Sequence, residues 1–170
     1  MKTKKLTLMA LLTGIALVIF VAESRIPAPV PIPGVKLGLA NIITLVAMAL
    51  LGKREAGLVL TARIILGSVF AGSVSAMIFS LCGGAAAYGV MCLLADRFPP
   101  RLLWVVSVFA ALAHNVGQLA AAAVITMTPG VLYYGFALAV SAIITGSFTG
   151  LAAMYMIKRL PGDWKLSGKS

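Results

Sequence analysis

Residues 24–44 read SRIPAPVPIPGVKLGLANIIT. Pro27, Pro29, Pro31 and Pro33 alternate through this stretch, each removing a backbone donor and holding its neighbour extended. Such a segment cannot be helical. Nor can it face lipid, where every backbone polar group needs a partner inside the protein. Gly34 then releases the chain into an apolar run that begins at Leu37. The expectation is a stiff, irregular arm outside the lipid, tethered closely to it by apolar segments on both sides.

Composition says what the solvent is. Hydrophobic residues make up 61% of the chain and charged residues 11%, with a mean hydropathy of +1.07. Soluble domains are about 45–50% apolar and about 25% charged, so the chain is built for a bilayer. Its 170 residues allow a single domain, 1–170. Cys82 and Cys92 lie in one apolar run. Ten residues of helix separate them by about 15 Å, well beyond the reach of about 7 Å that a disulfide allows. Both are expected to pack rather than pair.

Lys2, Lys4 and Lys5 precede the first uncharged run, 6–22. That start resembles a signal peptide. It is followed by further apolar segments rather than a cleavage site and a polar domain, so a retained helix is expected. Later runs cover 37–51, 56–71, 73–95, 102–127 and 131–157, and all eight prolines fall outside them. Spanning takes about 20 residues; the second and third runs are short, and the last two have length to spare for tilt. The fold expected is an all-α integral membrane protein of six transmembrane helices, with an outer loop at 23–36.

Basic residues set the orientation. With the N-terminus inside, the inner segments hold Lys2, Lys4, Lys5, Lys53, Arg54, Arg97, Arg101, Lys158, Arg159, Lys165 and Lys169. The outer ones hold only Arg25 and Lys36, and Arg63 completes the 14 Lys and Arg. Both termini are therefore expected in the cytoplasm. A net charge of +10 would suggest nucleic acid in a soluble protein; here topology accounts for it, and no nucleic-acid partner is expected.

Polar side chains inside apolar spans are costly and tend to be functional. Arg63 lies near the middle of the third run, where an arginine costs about 2.5–3.5 kcal/mol on insertion scales. The four acids, Glu23, Glu55, Asp96 and Asp163, all lie at run ends or in loops, so a polar ligand, His114, carbonyl groups or water must satisfy it. His114, Asn115 and Gln118 share one face of the fifth run by their spacing. Asn41 lies in the outer part of the second run, and Lys36 stands at its mouth. These six residues, Arg63, His114, Asn115, Gln118, Asn41 and Lys36, are the candidate substrate-binding set. Asparagine and glutamine also commonly tie membrane helices together, so a structural role stays open for each. Ala10 and Gly14 form a small-xxx-small step on the first helix, a pattern that lets another backbone approach closely.

Other chemistry lacks its residues. There is no Gly-x-x-x-x-Gly-Lys-Ser/Thr loop for ATP, no paired carboxylates, no metal-ligand cluster and no aspartate-rich stretch to hold Mg²⁺ on a diphosphate. The chain is not expected to be an enzyme, nor to carry a cofactor or metal of its own.

The basic start, ALLTG at 10–14, the proline-rich loop, PGVKLGLAN at 33–41 and LGKREAG at 51–57 together resemble the Gx transporter family. Its members are commonly labelled heptaprenyl diphosphate synthase component I and are similar to the S-components of energy-coupling factor transporters. The resemblance covers residues 1–160. It implies an S-component-like bundle in a bacterial plasma membrane that captures a small molecule, such as a vitamin, cofactor or isoprenoid or quinone precursor, near the outer surface. The loop at 23–36 would act as its gate. It further implies docking through the first helix, at Ala10 and Gly14, onto a membrane scaffold subunit whose two ATPase partners hydrolyse ATP. A second reading is a non-catalytic membrane subunit of an isoprenoid or quinone pathway. A third is a stand-alone channel or ion-coupled carrier, in which proton coupling would fall mainly on His114.

Overall fold

The apolar residues after Lys36 do not become helical at once. In a computed structural model, which describes residues 2–25, 36–72 and 74–159, Gly38 adopts a left-handed conformation (φ 79°) and the helix starts only at Asn41. The element order is α1 (Lys2–Glu23), α2 (Asn41–Leu51), α3 (Lys53–Ala71), α4 (Val74–Leu94), α5 (Leu103–Thr126) and α6 (Gly135–Arg159). Short 3-10 turns at Pro100–Leu102 and Pro129–Tyr134 lead into α5 and α6; each has proline in its first turn, where the missing donor costs nothing. The proline arm at 27–33, Gly34, and the basic residues Lys165 and Lys169 lie outside the described residues.

α2 is the hub. It has 11 residues, nearly all of them buried, and it touches each of the other five α-helices. A helix enclosed on all sides has no use for a polar face, which explains why NIITLVAMALL shows none beyond Asn41 and Thr44. The remaining helices bury one stripe each. On α1 the stripe runs Leu8, Leu12, Ala16, Phe20 and Glu23, while Leu6, Leu11, Val18 and Val21 are exposed. Exposed apolar side chains on a stripe away from the core are what a hydrocarbon surround requires.

Among the described residues, four stretches are long and apolar enough to cross a membrane: Thr3–Glu23, Val74–Leu94, Pro100–Thr126 and Gly130–Arg159. Two of the six expected spans are not in this set. α2 is too short, and α3 carries Lys53, Arg54, Glu55 and Arg63 within its 19 residues. Helix ends also reach past the apolar runs. α1 takes in the lysines from Lys2, and α3 begins at Lys53 rather than at 56, because charges at a helix end find partners there. Lys5 pairs with Glu55 at 2.5 Å, Lys53 with Asp96, and Tyr88 donates to the Lys53 carbonyl at 2.8 Å. These ties bring the start of α1, the α2–α3 turn and the α4–α5 turn to one end of the bundle.

Glycine sets the closest helix contacts. A β-carbon on Gly117 of α5 would lie 2.5 Å from the Cys82 carbonyl oxygen of α4. On α6, β-carbons at Gly146 and Gly150 would lie 2.7 Å from the Val108 α-carbon and 2.5 Å from the Trp104 α-carbon. Between these last two contacts, the Ser107 and Thr149 hydroxyls meet at 2.9 Å. The obstacles are backbone, so rotamer changes cannot relieve them. Cys82 and Cys92 are free thiols.

Gly150→Ala is therefore expected to lower the thermal unfolding midpoint in detergent, with an overpacking cost of about 1–3 kcal/mol. Gly14→Ala meets nothing within 4 Å. It is expected to leave the midpoint unchanged or raise it, since alanine is the better helix former by about 0.5–1 kcal/mol.

Candidate functional site

The backbone just ahead of α2 poses a problem of satisfaction: it is not helical, yet it is largely covered by protein. The first α2 amides are met locally, Asn41 N–H by Gly38 O, Ile42 N–H by Leu39 O and Ile43 N–H by Ala40 O. Two of the donors upstream are met by side chains from other helices. Lys36 N–H donates to Gln118 Oε1 at 3.1 Å, and Gly38 N–H donates to Glu23 Oε1. Gln118 and Glu23 are 1% and 3% exposed; both are committed inward to hold this bend.

His114 is enclosed by glycines. Its ring would lie 2.9 Å from a β-carbon on Gly38 and 2.8 Å from one on Gly83 of α4. Asn41 Nδ2 sits 3.2 Å from His114 Nδ1. With the asparagine amide in this orientation its nitrogen donates, Nδ1 accepts and the ring hydrogen resides on Nε2; the Gly83 carbonyl also lies within hydrogen-bonding range of the ring. Nε2 is buried and has no hydrogen-bond partner.

Arg63 comes in from α3 and is 3% exposed. Its Nη2 lies 3.8 Å from the position of a β-carbon on Gly84, so the Gly83–Gly84 step makes room for Arg63 and His114 side by side. Arg63 and Lys36 also share Phe20. The Lys36 ammonium sits 3.3 Å above the ring centroid, and the guanidinium carbon is 5.8 Å from it. Arg63 Nε, Arg63 Nη2 and Lys36 Nζ are buried without a hydrogen-bond partner. Burial holds the Lys36 ammonium below its usual lysine pKa; Glu23 opposes this shift and Arg63 adds to it.

Of the six residues singled out from the sequence, Lys36, Asn41, His114 and Gln118 are joined directly. Arg63 adjoins them through Phe20 and the paired glycines. Asn115 is engaged elsewhere: its Nδ2 donates to the Leu138 carbonyl of α6 at 2.7 Å, and its Oδ1 is buried and unpartnered. Ala10 and Gly14 lie on the exposed side of α1. Sequence reasoning placed Glu23 at the edge of a loop and so missed it as an internal acid. The missing signal is the 8-12-16-20-23 stripe of α1, which points Glu23 the same way as Phe20. Among the described residues, no group of three His, Cys, Asp or Glu comes together.

An apolar helical bundle with a buried, donor-rich centre defines a membrane protein with an internal polar site. The chain belongs to the heptaprenyl diphosphate synthase component I family, which it matches over residues 12–156. This is the family that its 10–14, 33–41 and 51–57 segments resemble. Neither the curated proteins nor the solved structures contain a match.

Glu23→Ala strands the half-buried Gly38 N–H, at a cost towards the lower end of about 1–3 kcal/mol. It should lower the unfolding midpoint measurably, whereas Glu23→Gln keeps an acceptor oxygen and should lower it less. Equal effects of the two variants in a detergent melt would show that this hydrogen bond does not hold the bend.

Proposed function

We propose that this chain is an S-component-like subunit of an energy-coupling factor type uptake transporter, binding a small molecule at the Arg63–His114–Lys36 cluster. The observation that carries the reading is the gathering of buried donors without partners: Arg63 Nε and Nη2, Lys36 Nζ and His114 Nε2. A polar group left unpaired in a low-dielectric interior costs about 1–3 kcal/mol, and a charged one more, so a protein that keeps several together gains from a ligand that satisfies them. The ligand is acceptor-rich, a vitamin, cofactor or isoprenoid or quinone precursor. It enters from the side that bears Lys36 and the proline loop.

The bundle sits in a bacterial plasma membrane with six crossings and both termini in the cytoplasm, α2 and α3 crossing under cover of their neighbours. The ionic ties among Lys5, Glu55, Lys53 and Asp96 support this orientation by placing the basic turns at one end. A scaffold subunit docks on the exposed side of α1, where Ala10 lies and Gly14 faces open space. ATPase partners hydrolyse the ATP. The family's description favours a second reading, a non-catalytic membrane subunit that organises a soluble prenyl diphosphate synthase at the inner turns.

Arg63→Ala is expected to weaken retention of the co-purifying small molecule at least tenfold, measured by mass spectrometry of the denatured protein; unchanged retention removes Arg63 from the site. Affinity purification from native membranes separates the two readings, ATPase subunits supporting uptake and a prenyl synthase supporting the second. For orientation, cysteines introduced at Arg54 and at Met127, which is 89% exposed, in a chain lacking Cys82 and Cys92 should differ. An impermeant maleimide added to intact cells should label position 127 and spare position 54.

A further inference from the structure

The unpartnered atoms of Arg63 are not an arbitrary pair. Nε and Nη2 lie on one edge of the guanidinium and present two parallel N–H bonds, the geometry that receives both oxygens of a single carboxylate. That edge belongs to a side chain only 3% exposed, and both of its nitrogens are without partners. A further buried donor, His114 Nε2–H, lies on the Gly38 side of the imidazole, 3.1 Å from where a Gly38 β-carbon would sit, while the Cε1–Nδ1 edge of the ring meets Gly83, next to the Gly84 that borders the guanidinium. Three donors on this edge and ring therefore have no hydrogen-bond partner among the described residues, and two of the acceptors nearby are already in use: Gln118 Oε1 by Lys36 N–H and Glu23 Oε1 by Gly38 N–H.

Charge limits what can enter. Glu23 is buried within electrostatic range of both Lys36 and Arg63. Counting Glu23 against these two cations leaves a surplus of one positive charge. A ligand with one negative charge neutralises the centre; a second negative charge meets the Glu23 carboxylate in a medium where repulsion is weakly screened. We infer that the site takes a small organic monocarboxylate, its carboxylate seated side-on against Arg63 Nε and Nη2, and that Glu23 selects against dianions and diphosphates. This rests on the proposed binding role of the cluster and narrows the substrate class.

The test begins with the full chain purified from native membranes, denatured, and searched by mass spectrometry for released compounds before and after amine coupling of carboxyl groups. One carboxyl per retained molecule is expected, with at least tenfold less recovered from Arg63→Gln. A retained diphosphate or a neutral compound would overturn the monocarboxylate while leaving the uptake reading in place; no retained compound together with no cellular uptake would remove both. Thermal shifts with millimolar benzoate, benzamide and phthalate supply a second measurement that does not depend on Arg63→Gln folding. Benzoate should stabilise the wild type more than benzamide or phthalate does, and Glu23→Gln should bring phthalate up to the level of benzoate. Benzamide matching benzoate, or phthalate matching benzoate on the wild type, would overturn the assignment.

Discussion

The bend just ahead of α2, at residues 36–40, governs the rest of the molecule. A chain that breaks its helix while enclosed by other helices must find partners for each exposed amide, because neither water nor lipid supplies them. Glu23 and Gln118 do so for Gly38 and Lys36, and through them the ends of α1 and the middle of α5 are fixed relative to α2. The left-handed conformation at Gly38 is what the geometry demands, and the missing side chain there leaves room for the His114 ring. Backbone satisfaction and the placing of the polar cluster are thus one structural solution.

Around that bend the packing divides into two kinds. α4, α5 and α6 are held backbone to backbone by Gly117, Gly146 and Gly150, with the Ser107–Thr149 hydrogen bond between them. α1 presents a single stripe of larger side chains to its neighbours and leaves its other side exposed. Close glycine contacts give the C-terminal helices a fixed spacing. The stripe on α1 is a looser attachment and leaves a surface free for another helix.

Much of this was legible in the sequence, for identifiable reasons. Apolar run length and the proline positions marked six helices, and basic residue placement matched the end at which Lys5, Lys53 and Asp96 meet. The extent of α2 was not legible, because Leu37, Leu39 and Ala40 are as apolar as the helix they precede, and only the conformation of Gly38 excludes them. Lys36, Asn41, His114 and Gln118, which the fold brings together, are conspicuous in the sequence because polar groups are rare in or beside apolar runs. Glu23 was overlooked because its run ends one residue earlier, so depth along the sequence gave no hint of the direction it faces. Asn115 was grouped with its neighbours by helical spacing, but adjacency to His114 turns it toward the Leu138 carbonyl.

The Asn41–His114 contact bears on energetics of a different kind. With an amide nitrogen facing Nδ1, adding a second hydrogen to the imidazole would set donor against donor unless the asparagine turned over. While the amide holds this orientation the ring keeps its hydrogen on Nε2 and acts as a fixed dipole.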